Sequence, residues 1–234
     1  MAGVLSVRDI DEDLERKLKR HRAALSKCRA CGDLVAGAIP IVSMARHPRA
    51  MLVGQAPGQV EKIDQKPFAG RAGKTLFKWL AQAGLSETEA REQIYIAAIT
   101  RCYPGASRSG RGDRVPSPAE QELCSHWLDA ELALIRPVVV IPVGRLAIDR
   151  FLGNAPLDLL IGREHVRELN GRETRVIPLP HPSGASSWIH GAGHKSLLDA
   201  ALSLLQLRLA DATAGPALNN LTNILPRADG NRVK

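Results

Sequence analysis

The sequence predicts an α/β fold, a three-layer α/β/α arrangement around a central, mostly parallel sheet of four strands. Three observations point there. Four short apolar runs, at 50–53, 94–99, 138–143 and 176–179, each end at Gly, Pro or a polar cluster, the pattern of parallel strands covered on both faces. Segments of helical periodicity separate them, which implies right-handed βαβ crossovers. Finally, 234 residues with 44% hydrophobic content suit one domain with a single substantial core and no need of disulfide staples.

Taken in order, residues 7–25 read as a helix, with Ile10, Leu14, Leu18 and Leu25 recurring among charged side chains. Cys28 and Cys31 follow in a short loop closed by Gly32. After the first strand, a helix over 73–83 carries Leu76, Phe77 and Leu80 on one side. After the second, Ser117 and Pro118 supply an N-cap and a first helical residue, and Glu120 completes a capping box, so a helix is expected over Pro118–Ile135. Helices at Arg145–Leu152 and 194–209 finish the alternation. A single domain is therefore expected over 1–209. Residues 210–234, with scattered Gly, Pro, Asn and Asp, read as a mobile tail with a short helix near 219–225.

Lys and Arg total 32 against 24 Asp and Glu, a formal net charge of +8. That excess fits a polyanionic partner, because each Lys or Arg meeting a phosphate releases condensed counterions; the other reading is a solubilising surface charge. Residues 1–20 are polar and charged rather than leader-like, and no apolar run reaches the ~20 residues of a membrane span. A cytoplasmic location and no membrane partner are expected, with nucleoid association if the polyanion is DNA. In a reducing compartment, four cysteines serve as ligands or reactive thiols rather than as disulfides.

Ligands of open α/β sheets bind at the carboxyl ends of the strands, and the unusual residues follow those ends. Gly54-Gln55-Ala56-Pro57-Gly58 makes a tight turn whose backbone can approach a ligand. Phe68, in Pro67-Phe68-Ala69-Gly70, precedes a helix N-terminus, where an aromatic ring can stack on a flat ligand; alone it would equally be a core residue. His181-Pro182-Ser183 follows the last strand and places an imidazole where it can donate into a cleft. Trp188, a few residues on, reads either as a wedge for a base stack or as a lid over the core. Cys28, Cys31, Cys102 and Cys124 suit an iron–sulfur cluster or a zinc tetrahedron, with buried free thiols as the third reading.

Together and in this order, the motifs resemble the iron–sulfur enzymes of the uracil-DNA glycosylase superfamily, families 4 and 5, from about Cys28 to about Leu209. The resemblance implies a monomeric DNA-repair glycosylase acting on DNA that contains uracil or other deaminated bases. It implies a [4Fe–4S] cluster on Cys28, Cys31, Cys102 and Cys124. It implies that Phe68 stacks on the extruded base, that Gly54, Gln55, Ala56, Pro57 and Gly58 hold the catalytic water and the sugar–phosphate, and that His181 donates to O2 of the departing uracil. Ser183 would belong to the base site, and Ser186 and Trp188 to the loop pressed into the duplex. A damaged-DNA-binding relative without strong catalysis is the alternative, and a zinc protein of other nucleic-acid function is a third.

The chain departs from these families in three places. Ala98 stands where family 4 has the Asn that reads the uracil edge, which is closer to family 5 and a broader base range. Gln55 stands where family 4 has Glu, and Ala56 where family 1 carries its water-activating Asp. Glu61 and Asp64 are the nearest carboxylates; either can orient water and spacing does not choose between them, with Glu61 taken as the catalytic candidate. Lastly, the interval between Cys102 and Cys124 carries an insertion, 106–115, that reads as a mobile basic loop. Its Arg108, Arg111 and Arg114 are candidates for phosphate contact. No His lies in that interval, so the covalent His–DNA link of a related branch is not expected.

Overall fold

The computed structural model describes residues 7–35, 37–46, 48–109, 112–183 and 188–213. The chain runs α1 (Val7–Ser26), β1 (Ala50–Gly54), α2 (Gln59–Asp64), α3 (Arg71–Gln82), α4 (Glu87–Gln93), β2 (Ile94–Ala98), α5 (Pro118–Ile135), β3 (Val139–Pro142), α6 (Arg145–Leu152), α7 (Leu157–Leu160), β4 (His165–Leu169), β5 (Arg172–Val176) and α8 (His194–Thr213). The strands form one sheet in the order β2-β1-β3-β5-β4. All neighbours are parallel except β4, which pairs antiparallel with β5 at the edge.

The sheet has five strands, not the four expected. The additional β4 escaped notice because its residues are charged and largely exposed, so it offers no apolar run. It is joined to β5 by Asn170 and Gly171, both at positive φ (52° and 70°), the backbone signature of a two-residue hairpin turn. The strand expected at 176–179 lies earlier in the chain. Ladder pairing covers Arg172–Val176, and Leu179 rejoins the sheet only through an isolated parallel bridge to Val143.

Alternation along each buried strand sends side chains to two cores. Ala50, Leu52, Ile96 and Ile141 face a layer that includes Leu76 and Leu80 of α3 and Leu198, Leu202 and Leu205 of α8. Met51, Val53, Tyr95 and Val140 face Leu18 of α1 and Leu128 and Leu132 of α5. This is the three-layer α/β/α arrangement. Strand order reverses between β1 and β3, so the crevice at their carboxyl ends is where a ligand site is expected. Among the described residues, no helix is long and apolar enough to cross a membrane. The last helix continues to Thr213, and residues 214–234, read above as a tail, lie outside the described residues.

Candidate active site

An open cleft of about 110 Å³ lies at that crevice, lined by the 54–58 turn, Phe68, Ala98, Arg101, Asp113, Val143 and His181 among others. Its floor is an extension of the sheet. Beyond the β1–β2 ladder, the amides of Ile99 and Thr100 donate to the carbonyls of Gly54 (3.0 Å) and Gln55 (3.2 Å), which fixes where the turn leaves the strand.

Glu61 ties the two walls together. Its Oε2 accepts from the Gly58 amide (3.0 Å) and its Oε1 from the Gly70 amide (2.9 Å), so one buried carboxylate satisfies the amides that open α2 and α3. Phe68 sits between these anchors with φ +50°, a conformation that a non-glycine residue adopts only under constraint. Arg91 of α4 supplies that constraint, donating to the carbonyls of Pro67 (2.8 Å) and Phe68 (3.2 Å). Gly73 is required beside it, since a Cβ there would overlap the Phe68 carbonyl. The phenyl edge rests over Gly54, where a Cβ would lie 3.0 Å from Cζ.

His181 is held from one side. The Ser183 amide donates to its Nδ1 (3.2 Å), and the Ser183 hydroxyl lies 2.9 Å from the same nitrogen. With Nδ1 accepting, the neutral imidazole carries its proton on Nε2. Burial lowers the His181 pKa and so favours this neutral form. The ring packs against Gly144, whose φ of +83° and missing Cβ let β3 pass close to it.

The four cysteines line a second, small cavity of about 10 Å³ behind the cleft. Arg101 lines both. Trp127 Nε1 donates to Cys28 Sγ and the Arg101 amide to Cys124 Sγ, both at 3.3 Å. Burial and the neighbouring cysteines push the Cys102 thiol up to about 12, and burial pushes Cys124 up to about 11 against the charge and amide of Arg101. Four thiols that crowd one another around a shared cavity fit a group able to neutralise four thiolates at once. Among the described residues, no cluster of three or more His, Cys, Asp or Glu is arranged to hold a single metal ion.

The family model for the uracil DNA glycosylase superfamily matches residues 42–205, a span that includes the cleft turn, Phe68 and the His181 loop. The chain belongs to this superfamily. It is 31% identical to a type-4 uracil-DNA glycosylase of Thermotoga maritima over 160 residues, covering 68% of this chain and 78% of that one. It is 32% identical to a type-4 enzyme of Archaeoglobus fulgidus, again covering 68% and 78%. A type-5 uracil-DNA glycosylase of Thermus thermophilus is 28% identical over 56% of this chain and 69% of its own.

Within this superfamily member, the cleft gathers His181, Gln55, Glu61, Gly54, Ala56, Pro57, Gly58, Phe68 and Ala98, all read from sequence as site residues. Asp64 is exposed and lines no part of it. Glu61 is present, but both its oxygens are already engaged by backbone amides. Trp188 is not a free wedge: it stacks on His194 (4.2 Å, 12°) and donates to Asp158 (2.6 Å), packed partly on the core. Arg114 likewise turns inward, paired through both terminal nitrogens with Glu120. Arg108 is exposed, whereas Arg111 and Ser186 lie outside the described residues.

The insertion, read above as a mobile basic loop, is held at both its ends, while residues 110 and 111 lie outside the described residues. Its stem is closed by an antiparallel bridge between Ala106 and Asp113 and by the Ser107 amide on the Gly112 carbonyl (2.9 Å) and the Arg114 amide on Gly105 (3.0 Å). Asp113, Tyr103 and Arg101 reach the site or its rim unforeseen. The available signal was that Asp113 is the insertion's single carboxylate.

Proposed function

We propose that this glycosylase-superfamily chain hydrolyses the N-glycosidic bond of uracil extruded from DNA into the cleft. The observation that carries the reading is the one-sided imidazole: with Nδ1 occupied by the Ser183 amide, the Nε2–H of His181 is the donor left for a ligand. Bond cleavage leaves negative charge on uracil O2, and a preorganised neutral donor there is worth more in the transition state than in the ground state. Phe68, held at the cleft by Arg91 and Gly73, offers its face to the base and offsets part of the unstacking cost. The net charge of +8 favours the phosphate backbone.

Ala98 presents a methyl group where an amide would read the base edge, which favours a range extending to other deaminated bases. Cys28, Cys31, Cys102 and Cys124 would hold a [4Fe–4S] cluster. Bound there, it would supply a cross-link between the loop after α1, the segment after β2 and α5, a structural role apart from the bond cleavage.

The test is single-turnover base release from single- and double-stranded oligonucleotides bearing uracil, hypoxanthine or xanthine. Release of uracil is expected, with His181→Ala slower by on the order of 10²–10³-fold, as for loss of one oxyanion donor. Tight binding to uracil DNA without any release would identify a damage-binding relative instead, and undiminished release by His181→Ala would remove the role assigned to that side chain.

A further inference from the structure

The cleft contains no carboxylate within the 54–58 turn, yet two carboxylates converge on it from outside. A Cβ built on Gly58 would lie 2.7 Å from Glu61 Oε2 and 2.8 Å from Asp113 Oδ2. Glu61 spends one oxygen on each of two amides and is immobilised inside the fold. Asp113 is different. It is exposed at the mouth of the cleft and is delivered by a separate segment, whose described ends are held by the antiparallel Ala106–Asp113 bridge. Beside it, Arg114 is fixed to Glu120 at the start of α5, so the strand that carries Asp113 is anchored to a helix. Tyr103 interacts with the Asp113 carboxylate and favours its charged form.

We infer that Asp113 is the water-activating catalytic residue of this chain, supplied to the 54–58 turn by segment 105–114 in place of a carboxylate within the turn. The inference rests on the base-excision reading above. In the step assigned to it, the C1′–N1 bond breaks and its electron pair leaves with uracil, where His181 meets the charge on O2. A water oxygen forms the new bond to C1′ and gives one proton to Asp113. The sugar keeps the resulting hydroxyl, the base anion is protonated from solvent, and Asp113 returns its proton to solvent; one water is consumed. Partial burial and the adjacent Glu61 charge raise the proton affinity of Asp113, while the Tyr103 interaction opposes the rise. A carboxylate so poised is a better proton acceptor than a fully solvated one.

The deciding experiment compares wild type with Asp113→Asn in single-turnover release of uracil, alongside affinity for an oligonucleotide carrying a non-cleavable uracil analogue. Expected is a loss of on the order of 10²-fold or more in the release rate, the lower range for a general base, with affinity unchanged. Release at the wild-type rate would overturn the inference, and so would a loss lying wholly in affinity, which would make Asp113 a docking group. If the wild type itself releases no base, the excision reading has failed rather than this one.

Should Asp113→Asn not fold, Tyr103→Phe decides. Removing an interaction that lowers the Asp113 pKa must move the acid limb of the rate profile to higher pH. An unmoved limb would overturn the assignment. The groups facing Asp113 in this comparison are Glu61 of α2, Tyr103, and Arg101 and His181 across the cleft, all present in both proteins.

Discussion

His181 depends on the residue behind it as much as on the serine beside it. Gly144 combines φ +83° and ψ 164° with a Cβ position only 2.9 Å from His181 Cδ2. A side chain there meets two penalties, a backbone region that only glycine tolerates and a clash with the imidazole edge. Gly144→Ala is expected to cost about 1–3 kcal/mol of stability, readable as a lowered Tm. Because the ring must move, uracil release should also slow by on the order of 10²-fold, the usual consequence of a misplacement near 1 Å. A variant that lost stability yet excised at the normal rate would show that the ring has room to relax.

Among the elements, the start of α5 binds the insertion to the rest of the fold. Ser117 caps the helix, Glu120 returns the capping box, and the same carboxylate takes both terminal nitrogens of Arg114. The Arg114 hydrogen bonds, followed by those from Ser117, hold the Glu120 pKa down to about 2 from its ordinary 4.5. The unfolded chain therefore takes up this proton first as pH falls. The stabilisation is fully present above pH 4.5 and is lost as pH falls toward 2. Across that window the Tm of the wild type should fall more steeply than that of Glu120→Gln, and parallel slopes would dismiss the linkage.

The limits at Pro118–Ile135 were legible to the residue because cap, proline and capping-box glutamate are local signals. Asn170-Gly171 was an equally local signal for the β4–β5 hairpin, hidden only by the search for apolar runs. Ser86 and Glu89 likewise make the capping box that opens α4, which went unread. The cleft turn, Phe68 and His181 could be foreseen because each follows or precedes a recognisable element. Asp113 was marked only as the insertion's single carboxylate: its approach to Gly58 is a tertiary event between distant segments, and spacing carries no information about it. Of the two readings open for Trp188, wedge or lid, spacing could not choose for a related reason, since its partners Asp158 and His194 come from two other elements.

At the scale of the molecule, a buried polar network joins the layers. Glu131 of α5, fully buried, accepts from Tyr95 of β2 (2.8 Å), pairs with Arg101 and meets His21 of α1 at 3.1 Å. The same Arg101 borders both the substrate cleft and the cysteine cavity. Glu131→Ala leaves the guanidinium without its countercharge and is expected to cost about 3–5 kcal/mol, measurable by denaturant unfolding. A much smaller loss would mean that water reaches Arg101 in the variant.

The segment bearing Asp113 lies between Cys102 and Cys124, two residues that share one cavity. Its ends are thus held by the fold whatever its length, and chain closure grows only slowly more costly as such a segment lengthens. It behaves as an exchangeable cassette. Changing the residue at position 113 alters what stands beside Gly58 while the sheet, Phe68 and His181 keep their places. A lineage with its reactive group on such a cassette can vary its chemistry by editing a surface segment, and a directed-evolution library confined to residues 106–113 would explore that same space without touching the core.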